Sequence, residues 1–194
     1  TGGGPIVFDL SLVPFTSPLV VTLTSTDVQT LTFEDAIDAL MTRNIYLNVH
    51  TTTNAGGEIR GQVGPARLWA ALTDGDVAPP VVSGFIGDAQ VILNATQTEA
   101  LIQPTHDVLS ANSVRLCIED PGLNGPLLYD VDALAGSAAS PLEAILHGDE
   151  LIPSPPRAIL TFTDFANALL TGKTYLEVRS PSFPDGAIRG QILP

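Results

Sequence analysis

The sequence predicts an all-β protein made of antiparallel β-sandwich domains with a Greek-key-like strand order and a short helix before each of two related hairpins. Three observations predict this fold class. Apolar and polar residues alternate over many short segments, Gly and Pro separate those segments, and one segment of 33 residues occurs twice. No apolar run approaches the roughly 18 residues of a membrane span, so we expect no transmembrane helix.

The duplicated segment organises the chain. Residues 31–63 align without a gap to residues 160–192, and 15 of the 33 positions are identical. Upstream, residues 4–9 resemble residues 125–130, whereas the block between the copies has no counterpart before the first one. A period this long indicates paired domains rather than a solenoid. We therefore predict a partial unit over residues 1–64 and a complete unit over residues 65–194.

A short helix is predicted at the start of each copy. Thr32 precedes Asp35, and Thr161 precedes Asp164, in the Thr-x-x-Asp spacing that caps helix N-termini. The residues that follow form an apolar face, and they are Phe33, Ile37, Leu40 and Met41 in the first copy and Phe162, Phe165, Leu169 and Leu170 in the second. Each helix is expected to end near Asn44 or Gly172.

A β-hairpin is predicted after each helix. Strict alternation from Tyr46 to His50, and from Tyr175 to Arg179, is typical of a strand with one buried face. Turns follow at Gly56-Gly57 and at Pro184-Asp185-Gly186. On the return strands we expect the inward residues to be Ile59, Gly61 and Val63 in the first copy and Ile188, Gly190 and Ile192 in the second. Further strands are predicted at 5–13, 19–24, 67–72, 85–93, 99–108, 113–118 and 126–131.

Charge and cysteine content exclude some classes of function. Eight Lys and Arg stand against 21 Asp and Glu, for a formal net charge of −13. Such a field repels nucleic acid, so we expect no nucleic-acid partner. The single cysteine, Cys117, cannot form an intramolecular disulfide, and its strand-like neighbours indicate a buried, inert thiol. The start at Thr1-Gly2-Gly3-Gly4 indicates a chain trimmed by processing or by preparation.

The residues that both copies retain are interpreted as structural. The hairpin is expected to place Arg189 on the same face as Glu177, and Arg60 near Asn48 and Glu58, as cross-strand neighbours. Gly61 and Gly190 are expected to permit close packing. The predicted structural signature is Gly57, Ile59, Arg60, Gly61 and Gln62 in the first copy and Gly186, Ile188, Arg189, Gly190 and Gln191 in the second.

Catalytic and metal-binding chemistry find little support in the sequence. His50 becomes Arg179 in the second copy, which cannot act as a metal ligand or general base at neutral pH, and Glu58 becomes Ala187, so no paired-carboxylate scheme is common to both copies. No nucleophile elbow, phosphate loop or Cys-x-x-Cys occurs. We expect no catalytic residues, no enzyme activity and no cofactor. Calcium or a transition metal is kept as an alternative, and its candidate ligands are His50, His106, Asp74 and Asp76.

The sequence resembles the chordin-like (CHRD) domain family. The resemblance lies in His50-Thr51 followed by the run from Gly57 to Gln62, in Gly186-Ala187-Ile188-Arg189-Gly190-Gln191, in the opening 72–81 and in the mid-domain turn 122–126. Residues 68–194 resemble one complete domain, and residues 4–63 resemble the second half of another. Where this family often has a His-x-His pair, the chain has Leu116-Cys117-Ile118, which puts any metal role of that pair in doubt.

The resemblance implies a secreted or cell-surface module, like the domains of the extracellular growth-factor antagonist chordin. With the signal removed, the chain would be extracellular. The partial unit would leave open edges, which suggests a structural protein that associates with copies of itself into a filament or surface layer by strand or domain complementation. The alternative is an extracellular binding module for a protein, a glycan or a metal ion.

Overall fold

The structure is a computed structural model, and it describes residues 4–11, 21–41, 44–94 and 96–194. The chain divides into two compact units, the first over Thr1–Pro65 and the second over Ala66–Pro194. The sheets of both units are antiparallel, and the predicted all-β fold class is confirmed.

The first unit contains one helix and one hairpin. Helix α1 spans Phe33–Met41, and strands β1 (Ile45–Val49) and β2 (Ile59–Val63) pair in register from Ile45–Val63 to Val49–Ile59. In the part of the chain that the structure describes, these two strands form a two-stranded sheet with no third strand. Residues Phe8 and Val28 form an isolated bridge.

The second unit contains one sheet of eight strands. The strands are β3 (Ala66–Thr73), β4 (Ile86–Leu93), β5 (Ala100–His106), β6 (Ser113–Ile118), β7 (Leu127–Asp130), β8 (Ala144–Leu146), β9 (Thr174–Ser180) and β10 (Phe183–Gln191). Their order across the sheet is β7-β6-β9-β10-β3-β4-β5-β8. The last hairpin of the chain, β9–β10, therefore lies at the centre of the sheet, between β6 and β3.

The eight-stranded sheet curves until it is nearly closed. The region after β8 reaches β7, where the amide of Ile152 donates to the carbonyl of Leu128 at 2.9 Å and the hydroxyl of Tyr129 donates to the carbonyl of His147 at 2.9 Å. Helix α2 (Val131–Ala135) contacts both β6 and β8. Closure of this kind protects the edges of a sheet from unwanted pairing.

One continuous core fills the second unit. Alternate residues of the strands point into it, and helix α3 (Phe162–Leu170) covers it with Phe165, Ala166 and Leu169. The ring of Phe165 packs edge-on against Tyr129 at 5.0 Å. Other core side chains are Leu68, Leu72, Val91, Ile102, Val114, Leu116, Leu128, Leu146, Leu176, Val178, Ile188 and Ile192.

Both predicted helices form where the capping signature places them. In α3 the Thr161 hydroxyl accepts from the Asp164 amide at 3.2 Å, and the Asp164 carboxylate accepts from the Thr161 amide at 2.9 Å. In α1 the Thr32 hydroxyl accepts from the Asp35 amide at 3.1 Å. The Thr side chain satisfies an amide that the helix leaves unpaired, which favours a start at this position.

The remaining strand predictions have a mixed outcome. Those at 67–72, 85–93, 99–108, 113–118 and 126–131 are confirmed as β3 to β7, whereas α2 and β8 were not predicted. Residues 5–11 and 21–24 are not strands, and residues 12–13 and 19–20 of these two predictions lie outside the described residues. For residues 6–9 the physical reason is that β7, which corresponds to them, exists by pairing with β6, and the first unit offers no such strand among its described residues.

Candidate functional site

The signature residue Arg189 of the second unit belongs to a buried polar stack on one face of β9–β10. The guanidinium carbon of Arg189 lies 3.4 Å from the ring centroid of Tyr175, and its Nη1 donates to Oδ1 of Asn124 at 3.2 Å. Arg189 is 1% exposed, and its Nη2 has no hydrogen-bond partner in the described structure. Burial raises the pKa of Tyr175 to about 12. The ring is therefore neutral, which suits a cation–π contact.

The ion pair next to this stack differs from the expected one. The register places Arg189 directly opposite Glu177, as the hairpin predicts. The Glu177 carboxylate, however, accepts from Nε of Arg179 at 2.6 Å and has no ion pair with Arg189. Glu177 is 1% exposed, so the contact with Arg179 supplies the counter-charge that a buried carboxylate needs.

The first unit repeats the stack in an exposed setting. The guanidinium carbon of Arg60 again lies 3.4 Å from the ring centroid of Tyr46. The amide of Gly4 donates to the Tyr46 hydroxyl at 2.7 Å, as the amide of Gly125 donates to the Tyr175 hydroxyl at 3.0 Å. Arg60 is nevertheless exposed, and it lies opposite Asn48. The hairpin alone is thus sufficient to build the stack.

Each hairpin has a signature glycine in the positive-φ region, where L side chains are strained. Gly57 has φ of +119° and lies in the loop between β1 and β2, whereas Gly186 has φ of +130° and lies inside β10. A Cβ at Gly57 would also overlap the amide group of Asn48, and a Cβ at Gly186 would lie 3.1 Å from the Glu177 carboxylate. The turn predicted at residues 184–186 is therefore wrong: the chain turns at residues 181–182, and Gly186 lies where the register of β10 shifts, between Phe183 and Ile188.

The glycines of the return strands differ between the copies. A Cβ at Gly190 would overlap the carbonyl oxygen of Ala71 on the neighbouring strand β3. A Cβ at Gly61, the corresponding residue, would meet nothing within 4 Å. Close packing over glycine is therefore found in the second unit, and in the first unit the space over Gly61 is open.

The apolar face of the hairpin is buried in one copy and exposed in the other. Ile188, Leu176 and Ile192 are fully buried. Their counterparts Ile59, Leu47 and Val63 are 66%, 46% and 38% exposed. The prediction that Ile59, Gly61 and Val63 point into a core is therefore wrong for the first unit, because in the described structure no strands cover that face.

The side chain of Gln191 connects the second hairpin to two loops by hydrogen bonds. Its Nε2 donates to the carbonyl of Gly172 at 2.8 Å and to the carbonyl of Glu119 at 3.0 Å. Asn124, which the sequence did not single out, holds Arg189 and also donates from Nδ2 to the carbonyl of Ala78 at 2.6 Å. A turn of Gly and Asn carries no periodic signal, so its role depends on the fold.

The four candidate metal ligands each have protein partners. Nδ1 of His50 lies 2.8 Å from the Ala55 carbonyl, and Nε2 of His106 lies 3.0 Å from the Ala138 carbonyl. Asp74 accepts from two amides, and Asp76 accepts from the Thr73 hydroxyl at 2.7 Å. Over residues 4–11, 21–41, 44–94 and 96–194, no three His, Cys, Asp or Glu converge as metal ligands would.

Two further groups bear on chemistry. Burial lowers the pKa of His106, which disfavours its charged form at neutral pH. Burial raises the pKa of the Cys117 thiol to about 11, as expected for an unreactive cysteine inside a sheet.

A shallow groove opens beside the Arg189–Asn124 contact. It has a volume of about 470 Å³ and lies between residues 75–80 and residues 122–124. Its lining includes Asp76 and Asn124 as polar groups and Val77, Pro79 and Leu123 as apolar ones.

Comparison with known proteins identifies one family. A family model described as CHRD domain matches residues 3–63 and again residues 68–192. No curated protein and no solved structure shows significant similarity to the chain. None of the helices in the described ranges is both long enough and apolar enough to cross a membrane.

Proposed function

The chain belongs to the CHRD domain family, an extracellular type of domain, and we propose that it is a non-enzymatic, secreted or cell-surface structural protein. In this proposal it associates with copies of itself into a filament or surface layer. The association uses the open hairpin of the first unit, by addition of strands at its edges.

The observation that carries the proposal is the exposure of the first hairpin. Ile59 is 66% exposed, whereas Ile188, the residue at the same position in the second unit, is fully buried. Within the described residues both edges of β1–β2 lack a neighbouring strand. Unpaired edges and contiguous apolar side chains favour association with another chain.

The helix of the first unit also exposes apolar side chains. Ile37 and Met41 are 44% and 50% exposed, whereas Ala36 is fully buried. In the second unit the residue at the position of Ile37 is Ala166, which is fully buried in the core. Helix and hairpin therefore each expose apolar side chains, which suits a subunit interface better than an isolated domain.

The comparison of the copies also supports a non-enzymatic role. His50 and Glu58 are replaced by Arg179 and Ala187 on an otherwise matching hairpin. In the first unit Glu58 accepts from Thr51 at 2.8 Å and from the side chain of Asn54, which holds the turn. These groups therefore have structural partners in the one copy that contains them.

Light scattering over a concentration series, with electron microscopy of the same samples, tests self-association. We expect the average molecular mass of the parent chain to rise with concentration. At the same concentrations we expect a lower molecular mass for Ile59→Lys, because this substitution places a charge on the apolar face. Leu109→Lys is the matched control, because Leu109 is 73% exposed in the second unit. A parent chain that stays monomeric at every concentration contradicts the proposal.

A binding module is the second candidate, and the groove beside Asn124 favours it. Its volume of about 470 Å³ would admit a peptide side chain or a sugar unit. Elemental analysis of the purified chain and a screen against glycans and extracellular proteins would distinguish the candidates. A monomer that retains a metal ion or captures a partner supports this second function.

A further inference from the structure

We infer that the occupant of the open first hairpin is the first half of a CHRD domain, a strand set equivalent to β3–β6 that is not already paired with another hairpin. This inference rests on the proposed function, because it uses the same hairpin. It goes further in naming the partner's fold, the strand that pairs with each edge and the residue over which that strand passes.

The second unit shows which strands cover a hairpin of this sequence. Strand β10 pairs with β3, where Arg189 lies opposite Thr73, and β9 pairs with β6, where Leu176 lies opposite Leu116. The segment that contains β3 to β6, residues 66–118, precedes this hairpin in the chain. By the internal repeat, a β3-like strand belongs beside β2, and a β6-like strand belongs beside β1.

Gly61 provides the most specific support. In the second unit, Gly190 is required because the carbonyl of Ala71 on β3 occupies the position of a side chain. Gly61 has no positive φ and nothing within 4 Å of its missing Cβ, so the first unit gives no local reason for glycine. Glycine inside a strand costs stability, and it commonly marks the close approach of another backbone. The open space over Gly61 fits a β3-like strand.

The apolar face of the hairpin fits the same occupant. In the second unit Ile188 packs closely on β4: a Cβ added at Gly87 of β4 would lie 3.1 Å from Cδ1 of Ile188. Ile59 has the same residue type at the matching position and is 66% exposed. A first half would bring a β4-like strand with it, and that strand would bury Ile59 as β4 buries Ile188.

Exchange among copies of residues 1–194 does not supply the occupant. The repeat gives two second halves, ending at residues 63 and 192, and one first half, residues 66–118. In the second unit β3 already lies between β10 and β4, and β6 between β7 and β9. An exchange would complete one hairpin by opening another, with no net gain in pairing. The donor must therefore carry a first half that is not already paired.

A fusion that supplies a first half within the same polypeptide tests the inference. Residues 66–124 are placed directly before Gly4 of the chain, because residues 4–9 resemble residues 125–130, which follow Asn124. The fused chain then has two first halves and two second halves. We expect amide hydrogen exchange over residues 45–63 to slow by at least about tenfold relative to the parent chain. Unchanged exchange there would overturn the inference.

A pair of glycine variants makes the result specific. In the fusion, Gly61→Val should return exchange over residues 45–63 to the parent rate, because the side chain blocks the β3-like strand. Gly56→Val is the matched control, since Gly56 also has nothing within 4 Å and no positive φ but lies in the turn. Protection that survives Gly61→Val would show that no strand passes over this residue, against the inference.

Thiol labelling of Cys117 and light scattering complete the experiment. The fusion contains Cys117 twice, once in each first half, and slow labelling of both thiols shows that both β6 strands are buried. Fast labelling of either thiol reveals a half that fails to fold, which counts against the inference because each half then has a partner to pair with. Light scattering of the parent chain reports self-association separately. A monomeric parent with a protected fusion refutes the proposed self-assembly alone, and an assembling parent with an unprotected fusion refutes the inference alone.

Discussion

The two hairpins share their internal geometry and differ in their surroundings. Both place an Arg guanidinium 3.4 Å from a Tyr ring centroid, and both receive a Gly amide on the Tyr hydroxyl. Yet the apolar face is fully buried in the second unit and about half exposed in the first. Short-range sequence therefore determines the hairpin, whereas its burial depends on strands from distant parts of the chain. The same sequence can be a core element in one context and an interface in another.

The largest difference is expected for the matched isoleucines. Ile188→Ala removes a fully buried side chain and should reduce the free energy of unfolding by about 2–5 kcal/mol. Ile59→Ala, at a 66% exposed position, should change the stability of the monomer by about 0.5 kcal/mol or less. Urea unfolding of each variant measures both. Equal losses would mean that the first hairpin is buried in solution.

Alanine at the strand glycines should give the next largest contrast. Gly190→Ala forces a methyl group onto the Ala71 carbonyl and should cost about 1–3 kcal/mol. Gly61→Ala should be neutral or stabilise the monomer by up to about 1 kcal/mol, because it restricts the unfolded chain. Thermal unfolding at low concentration is the measurement. A clear loss at Gly61 would reveal a strand already packed over it.

Substitution of the two stacked arginines by lysine should give a smaller difference in the free energy of unfolding. Arg189→Lys replaces a buried guanidinium on Tyr175 and should cost about 2 kcal/mol, since a desolvated cation–π contact is strong. Arg60→Lys should cost about 0.5–1 kcal/mol, because water surrounds the exposed stack. Chemical denaturation compares the two. Similar costs would contradict the difference in burial.

The smallest expected effect concerns the helix caps. Hydrogen bonds from the Leu160 amide and from Thr161 lower the pKa of Asp164 below 3.8. A lowered pKa means that the charged carboxylate stabilises the folded state above the unfolded-state pKa, and that this stabilisation is lost as pH falls through the folded-state pKa. Asp164→Asn should therefore weaken protection of α3 at neutral pH, with a smaller difference from the parent below about pH 4. Amide hydrogen exchange rates in α3 that are the same in Asp164→Asn and in the parent chain would contradict this role for the cap.

The sequence predicted the elements that local signals specify. Capping spacing located α1 and α3, alternation located most strands, and the repeat predicted two hairpins with Arg189 opposite Glu177. It did not predict β8 or the role of Asn124, since three residues of strand and a Gly-Asn turn carry little periodicity. The sequence also did not predict the ion pair between Glu177 and Arg179. These residues lie two positions apart on one strand, whereas the hairpin register pointed to the cross-strand neighbour Arg189.

The exposure of Ile59 was the main error, and its cause is instructive. Alternation shows which residues share a face, and it carries no information on whether another layer covers that face. In the second unit the covering strands come from residues 66–118, far from the hairpin in sequence. The stack of Arg60 on Tyr46, in contrast, could have been predicted from the sequence, because the hairpin register places both residues on the polar face.

The central place of the β9–β10 hairpin has a consequence for biosynthesis. Strand β3 ends at Thr73 and β6 at Ile118, but their shared partner begins only at Thr174 and ends at Gln191. A ribosome therefore releases almost the entire second unit before the two parts of its sheet can be joined. Because such distant pairing is slow, we expect the domain to complete its folding only after its last hairpin has been synthesised. A nascent chain that stalls before Thr174 would leave two sheet fragments, each a substrate for chaperones.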